Sequence, residues 1–281
     1  MRYLSLSFLL LIGFNIFIWD AVAVRIANTG VLRLHFLDVG QGDSQLVELS
    51  EGSKILIDGG LGKGTSFKLD EVLSQTDRYI DLVILTHAEK DHLGGLGDVM
   101  SRYQTGAFIW SGRDVAGSAW SELKGVLSKH GTPTIQLGDG DRIIQGESVI
   151  NVISPDGESF HNQNNNERSL VLTLESQGIK ALYTGDIGVK TENKLIEEND
   201  LDVDILKVAH HGSKFSTGIE FLEEATPAIA VIEVGNNNYG HPYPTTLQKL
   251  RMAGASVYRT DENGTISLLI KDGIIGVKTE R

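Results

Sequence analysis

The stretch Asp81-Leu-Val-Ile-Leu-Thr-His-Ala-Glu-Lys-Asp-His-Leu-Gly-Gly95 decides how the chain is interpreted, because an apolar run ends here in a cluster of polar side chains. Residues 82–85 are typical of a buried strand, and the glycine pair at 94–95 predicts a turn into a helix. The polar side chains on the loop between them are His87, Glu89, Asp91 and His92. Two imidazoles and two carboxylates this close in sequence can converge on one or two divalent cations. A polar loop that merely caps the strand is the alternative.

The composition is that of an ordinary globular protein. The chain has 281 residues, 41% of them apolar, which is enough for one large packed domain. Thirty-two glycines and five prolines predict many tight turns and no long proline-rich linker. The net charge of −12 argues against broad, charge-driven binding of nucleic acid, because such binding depends on Lys and Arg. The absence of cysteine excludes disulfides, thiolate metal sites and cysteine nucleophiles.

The first 24 residues differ from the rest of the chain. Arg2 precedes an apolar stretch at residues 3–19, a pattern typical of a signal peptide or of a short membrane anchor. The small residues at 21–23 favour cleavage, whereas Asp20 and an apolar span near the lower limit for a bilayer favour an uncleaved anchor. In both cases we expect the remaining domain, residues 30–281, to lie outside the cytoplasmic membrane, either anchored or secreted.

Other apolar runs of the chain also end in residues that can bind a metal. The first half predicts strands at residues 32–38, 45–49, 54–58, 82–85 and 107–110, with helices at 67–76, 96–103 and 119–130. The second half predicts strands at 134–137, 148–153, 169–175, 180–183, 204–209 and 228–234, helices at 190–198, 218–225 and 245–253, and two closing strands. This pattern predicts an α+β fold in which two sheets pack face to face with helices outside. Asp58, Asp186, His210 and His211 each follow such a strand, so we expect them to meet the first cluster at one edge.

Seven segments carry a resemblance to a known family. They are residues 35–44, 56–60, 85–95, 183–186, 206–213, 239–242 and 257–261. In this order they resemble the metallo-β-lactamase superfamily, and in particular the extracytoplasmic hydrolase domains of the ComEC competence proteins. The resemblance covers roughly residues 32–272. It implies a four-layer αββα sandwich with a metal site at one edge, and a metal-dependent hydrolase linked to DNA processing.

Carried over residue by residue, the resemblance also implies a ligand set. His87 would bind the first ion, and Asp186 would bridge to the second. The other implied ligands of the second ion are Asp91, His92 and His211. His211 is favoured over His210 because the family's last histidine usually precedes a glycine directly. His210 then becomes a candidate catalytic residue that contacts the substrate's anionic oxygen or the leaving group.

Two departures from the family pattern remove histidine ligands from the first metal position. Glu89 replaces the superfamily's second histidine, although it stays a candidate ligand, and Asn165 or Asn166 stands where another histidine is expected. The position therefore loses up to two imidazoles. We expect a carboxylate-richer site that holds one Zn²⁺ or Mn²⁺ firmly and a second ion weakly.

The expected chemistry is hydrolysis by a metal-activated water. A bound cation lowers the pKa of water from about 15.7 toward about 7, and a phosphodiester suits the site because its free oxygens can bind the cation. Asp91 would act through the metal that it holds, and His241 is a candidate proton donor or, equally, a turn residue. Asp58 and Asp43 are expected to orient histidine ligands from behind, although turn formation alone explains Asp43 equally well. The structural or exposed histidines are expected to be His35, His130 and His161.

Several functions compete at this point. The favoured one is cleavage of a phosphodiester outside the membrane, with single-stranded DNA as one candidate substrate and a small or cell-surface phosphodiester as another. A catalytically degenerate metal-binding or interaction module of the same fold is the alternative from a different class. Hydrolysis of lactone or β-lactam rings is less favoured, because the missing histidines usually hold the zinc that polarises the carbonyl. No protein partner is predicted.

Overall fold

The computed structural model describes residues 30–161 and 164–281. The predicted signal peptide or anchor at residues 1–24 lies outside these described residues. Within them, none of the helices combines the length and the apolar character that crossing a membrane requires.

The first sheet is mixed and has the strand order β15-β14-β1-β2-β3-β4-β5-β6. Its strands are β1 (Leu32–Phe36), β2 (Gln45–Glu48), β3 (Lys54–Ile57), β4 (Tyr79–Ile84), β5 (Gln104–Trp110), β6 (Thr134–Gln136), β14 (Ile266–Lys271) and β15 (Ile274–Thr279). The first two predicted strands are present as β1 and β2, which form a hairpin because they pair antiparallel with Phe36 opposite Gln45. β3, β4 and β5 run parallel, so their carboxyl ends meet at one edge.

The second sheet has the order β13-β12-β11-β10-β9-β8-β7. Its strands are β7 (Arg142–Gln145), β8 (Ser148–Ser154), β9 (Val171–Ser176), β10 (Ile179–Tyr183), β11 (Ile205–Lys207), β12 (Ile229–Ile232) and β13 (Ser256–Arg259). The four strands from β10 to β13 are parallel, which again brings their carboxyl ends together.

Helices cover the outer faces of both sheets. They are α1 (Gly64–Val72), α2 (Lys90–Leu93), α3 (Leu96–Arg102), α4 (Ser118–His130), α5 (Val189–Glu198), α6 (Ile219–Ala225), α7 (Pro244–Met252) and α8 (Thr260–Asn263), with short 3-10 turns at Ser159–His161, Asn166–Arg168 and Ala209–Gly212. One apolar core lies between the sheets, and one lies under the helices on each side. β3 shows why: Ile55 and Ile57 face the central core while Leu56 faces the helices, so an apolar run without alternation is buried on both faces. The predicted α+β sandwich of four layers is confirmed.

Some predicted boundaries were wrong. α1 begins at Gly64 and ends at Val72, several residues earlier than predicted. Its first turn contains no apolar periodicity to mark it, and the hydroxyl of Thr65 is instead anchored on the carbonyl of Gly59. Three strands rather than two close the chain, because β13 joins the second sheet while β14 and β15 return to the first.

Candidate metal centre

Most of the predicted site residues directly follow the ends of strands and lie at one edge of the sandwich. Asp58 follows β3, residues 87–92 follow β4, Asp186 follows β10, and the histidine pair at 210–211 follows β11. Asp58, His210 and His211 have φ values of 58°, 51° and 53°, a left-handed conformation that is uncommon outside glycine. Such backbone strain is often held in place at functional sites, where it aims a side chain.

Three overlapping groups of side chains can hold a metal ion, and in each group the ligand atoms lie within 4.8 Å of one another. The groups are His87, His92 and Asp186; Asp91, His92 and His211; and Asp43, Asp58 and His92. His211 Nε2 lies 3.3 Å from Asp91 Oδ2, and His92 Nε2 lies 3.4 Å from Asp186 Oδ2. The four residues predicted for the second ion therefore converge, with His87 beside them.

Buried atoms without hydrogen-bond partners test whether these residues fit a cation. The Nε2 atoms of His87 and His92 and the Oδ1 atom of Asp186 are buried and make no hydrogen bond. Buried polar atoms are normally paired, so unpaired ones that point into one small space call for a ligand. A set of imidazole nitrogens and carboxylate oxygens suits Zn²⁺ or Mn²⁺. The residues therefore fit a divalent cation.

Asp58 fixes the orientation of His92. Its Oδ2 lies 2.7 Å from His92 Nδ1, which leaves Nε2 directed at the group of ligands. The same carboxylate accepts hydrogen bonds from the backbone N–H and the hydroxyl of Thr86, at 2.8 and 2.6 Å. Burial raises the pKa of Asp58, although the charge of His92 opposes this rise. The contact is the one expected of a residue that orients a ligand from behind.

Lys207 is a site residue that the sequence reasoning missed. It is 1% exposed, its ammonium group contacts the carboxylate of Asp43 and donates to the carbonyl of Gly185 at 3.0 Å, and it lies 3.8 Å from Asp186 Oδ1. Burial alone would lower the pKa of Lys207, but the charges of Asp43 and Asp186 raise it above its usual value. A lone lysine inside the apolar run that leads to the histidine pair was the available signal.

Asp43 and Glu233 extend this buried polar network. Asp43 is fully buried, and its Oδ1 lies 3.1 Å from His211 Nδ1. Glu233, at the end of β12, accepts a hydrogen bond from the backbone N–H of Ser44 at 2.9 Å and contacts Gln45. Burial and the charge of Asp43 raise the pKa of Glu233 to about 8. The network ties the end of the second sheet to the hairpin of the first.

The protonation of the histidines follows from their neighbours. Burial opposes a charge on His211, but Asp186 and Asp43 raise its pKa to about 10, and carboxylates likewise raise the pKa of His92. Burial and the adjacent charge of His92 lower the pKa of His87 to about 3. Without a metal, His92 and His211 therefore carry protons at neutral pH, and binding of a cation must release them.

The remaining candidates lie around this centre. Glu89 is half-buried before α2 and belongs to none of the three groups, and burial and the charges of Asp91 and Asp186 raise its pKa. His210 Nε2 lies 3.8 Å from Asp186 Oδ2, and the rings of His210 and His241 are 5.4 Å apart. Burial and the neighbouring His210 lower the pKa of His241 to about 4.

The residues expected outside the site lie outside it. His35 is buried in β1 against Ser267 and Glu48, whereas His130 and His161 are exposed. Asn165, one of the two asparagines that stand where a histidine was expected, lines a cleft next to His87.

Comparisons with known proteins agree on one family. A family model described as the Metallo-beta-lactamase superfamily matches residues 37–232. ComE operon protein 3 of Bacillus subtilis is 30% identical over 257 residues, which cover 85% of this chain and 33% of that protein. Competence protein ComA of Neisseria gonorrhoeae is 26% identical over 253 residues, which cover 87% of this chain and 33% of that protein. The chain thus spans about a third of the length of these relatives.

A solved structure supports the fold. The metallo-beta-lactamase fold protein YhfI from Bacillus subtilis superimposes with a TM-score of 0.59 at 13% identity. The match covers 89% of this chain and 100% of that one. At this identity the likeness shows the fold alone.

Proposed function

Because the chain belongs to the metallo-β-lactamase superfamily and is a metal-dependent hydrolase of that class, we propose that it cleaves phosphodiesters, with single-stranded DNA as its substrate. We place this activity outside the cytoplasmic membrane, in line with the pattern of the first 24 residues. The observation that carries the proposal is the convergence of buried, unpaired ligand atoms at one sheet edge.

Four residues would hold the firmly bound Zn²⁺ or Mn²⁺. They are Asp91, His92, Asp186 and His211. His87 would hold a second, weaker ion together with Asp186, because the thinned first position offers few further ligands. When bound, a divalent cation lowers the pKa of water to about 7 and offsets negative charge on a phosphoryl group.

The chain's own residues would orient the reacting groups. In hydrolysis the water oxygen forms a bond to phosphorus, the bond from phosphorus to the leaving oxygen breaks, and the leaving oxygen takes up the proton that the water gives up. His210 reaches the mouth of the site with a side chain that is 32% exposed, so it can contact a phosphoryl oxygen. With a pKa of about 4, His241 is neutral at neutral pH, which favours a hydrogen bond to the substrate over donation of a proton.

An aromatic rim next to the centre supports a polynucleotide substrate. The ring of His241 lies 5.9 Å from Tyr239 and 5.8 Å from Tyr243, and Lys214 Nζ lies 5.1 Å from the Tyr243 ring and 5.0 Å from the Phe215 ring. Phe215 and Tyr239 are 70% and 69% exposed. Bases stack on exposed aromatic rings, and a lysine between rings can pair with the backbone phosphates. Local contacts of this kind suit a chain whose overall charge repels DNA.

Turnover and metal content together test the proposal. The parent, Asp91→Ala and the control Asp200→Ala, which changes an exposed carboxylate, are assayed on bis(p-nitrophenyl) phosphate and single-stranded DNA with Zn²⁺ or Mn²⁺. We expect turnover and about one tightly bound ion per chain in the parent and the control. Asp91→Ala should stay folded by circular dichroism but lose both the ion and the turnover. Equal turnover in the parent and Asp91→Ala would rule the proposal out, as would a parent that holds no metal and has no activity after reconstitution.

A further inference from the structure

A narrow cleft next to His87 carries two guanidinium groups, those of Arg113 and Arg168. The cleft is also lined by Leu85, Ala88, Trp110, Ser111, Val115 and Asn165. None of these lining residues is acidic. The metal centre and the cleft share His87, so whatever occupies the cleft lies directly beside the reacting group.

Arg168 places a guanidinium group without a counter-ion on the wall of this cleft. Its side chain belongs to a residue that is only 6% exposed, and across residues 30–161 and 164–281 no carboxylate lies within ion-pair distance of it. Burial and the charge of Arg113 lower the pKa of Arg168. An arginine with so little exposed surface is normally paired with an anion. An anion is the component that would balance the guanidinium group of Arg168.

The backbone around Arg168 is fastened to the metal centre. The hydroxyl of the next residue, Ser169, accepts a hydrogen bond from the backbone N–H of Asp186 at 3.2 Å. The N–H of Leu170 donates to the carbonyl of Thr86 at 2.9 Å, one residue before His87. Gly185 packs against Ser169 so closely that a Cβ there would lie 2.7 Å from the Ser169 Cβ. The backbone next to Arg168 is therefore held at a fixed place relative to the proposed ligands.

We propose that Arg168, with Arg113 beside it, forms an anion subsite that binds a second phosphate of the substrate, next to the phosphate that is cleaved. The inference rests on the proposed phosphodiesterase function and specifies its substrate. A guanidinium group matches a phosphate with two parallel hydrogen bonds. A single phosphodiester fills only the metal centre, whereas a polynucleotide also brings the neighbouring phosphate. The subsite therefore selects a polymer over a small ester.

Binding of inorganic phosphate tests the subsite without any turnover. The metal-loaded parent, Arg168→Gln, Arg168→Lys and the control Arg251→Gln, which alters an exposed arginine of α7, are titrated with phosphate while thermal unfolding is followed. Phosphate should raise the unfolding temperature of the parent and the control, and Arg168→Gln should lose most of this increase while Arg168→Lys keeps part of it. In phosphate-free buffer Arg168→Gln should unfold no earlier than the parent, because it removes an unbalanced charge. An equal increase in the parent and Arg168→Gln would overturn the proposal.

Kinetics provide the second readout. We compare kcat/KM for an oligothymidylate with kcat/KM for bis(p-nitrophenyl) phosphate in each variant. Arg168→Gln should lower the ratio of the two about tenfold or more, mainly through KM for the oligonucleotide, and Arg168→Lys should restore part of it. An unchanged ratio would contradict the subsite. If the parent cleaves neither substrate, the phosphodiesterase proposal fails, and the phosphate titration still decides whether the anion subsite exists.

Discussion

Replacing Lys207 with methionine should destabilise the protein by about 3–5 kcal/mol, the range found when one partner of a buried ion pair is removed. Methionine keeps most of the length of the side chain, so the variant removes a charge and leaves little cavity. What remains is the carboxylate of Asp43, fully buried and stripped of its ammonium partner, together with the Gly185 carbonyl that accepted the second hydrogen bond. Asp186, 3.8 Å from the ammonium group, loses its nearest fixed lysine charge as well.

An exposed ion pair gives the matched control for this magnitude. Lys124 lies 2.9 Å from Asp114, with side chains that are 48% and 69% exposed, so Lys124→Met should cost less than about 1 kcal/mol. For a chain of this size about 1 kcal/mol shifts the unfolding temperature by about 2–4 °C. Lys207→Met should therefore lower that temperature by about 10 °C, whereas Lys124→Met should hardly change it.

Urea unfolding followed by circular dichroism measures the free energies of both variants. The double variant Lys207→Met/Asp43→Asn should recover part of the loss, because the stranded carboxylate is neutralised, and the resulting coupling energy isolates the pair. The reasoning is refuted if Lys207→Met stays within about 1 kcal/mol of the parent. It is also refuted if the losses of free energy in Lys207→Met and in Asp43→Asn simply add in the double variant.

Three further predictions follow from other contacts. Asp58→Asn should weaken Zn²⁺ affinity by about 10–100-fold, measured by competition with a chelator, because it disturbs the carboxylate that orients a ligand histidine; unchanged affinity would contradict that role. Burial raises the pKa of Glu192 from 4.5 to about 7, so its contribution to stability is full below pH 4.5 and is lost as the pH rises through about 7. In the parent, this residue should lower the free energy of unfolding by about 3 kcal/mol between pH 4.5 and about 7, and in Glu192→Gln this decrease should be absent from urea-unfolding measurements. A pH profile parallel to the parent's would refute the prediction. A Cβ on Gly42 would lie 2.4 Å from the carbonyl oxygen of Asp91, so Gly42→Ala should weaken metal binding. The control Gly125→Ala, where no atom lies within 4 Å of the added Cβ, should leave the affinity unchanged, and equal affinities in the two variants would contradict the prediction.

The sequence predicts where the site residues lie in the fold better than it predicts which residues they contact. Asp58, Asp186 and His211 follow apolar runs, and a run that is apolar on both faces must be a covered strand, so their meeting at one edge follows from pattern alone. Lys207 and Arg168 do not stand at the end of an apolar run, so this pattern does not assign them to the site. Whether a charged residue in an apolar run faces inward depends on a partner far away in the chain, and periodicity contains no information on that distance.

These two cations are the basis on which we propose a phosphodiester rather than a lactam as the substrate. Glu89 and Asn165 or Asn166 stand where histidines of the superfamily are expected, which removes nitrogen ligands from the first metal position. The chain instead places Lys207 beside the carboxylates of Asp43 and Asp186, and Arg168 in the cleft next to His87. A neutral lactam carbonyl needs a Lewis acid directly on its oxygen, and a fixed ammonium group buried behind a carboxylate cannot supply one. A phosphodiester carries a full negative charge that a guanidinium group can pair with directly. The loss of nitrogen ligands therefore argues against a two-zinc lactamase, whereas the proposal of an anionic substrate rests on the guanidinium group of Arg168.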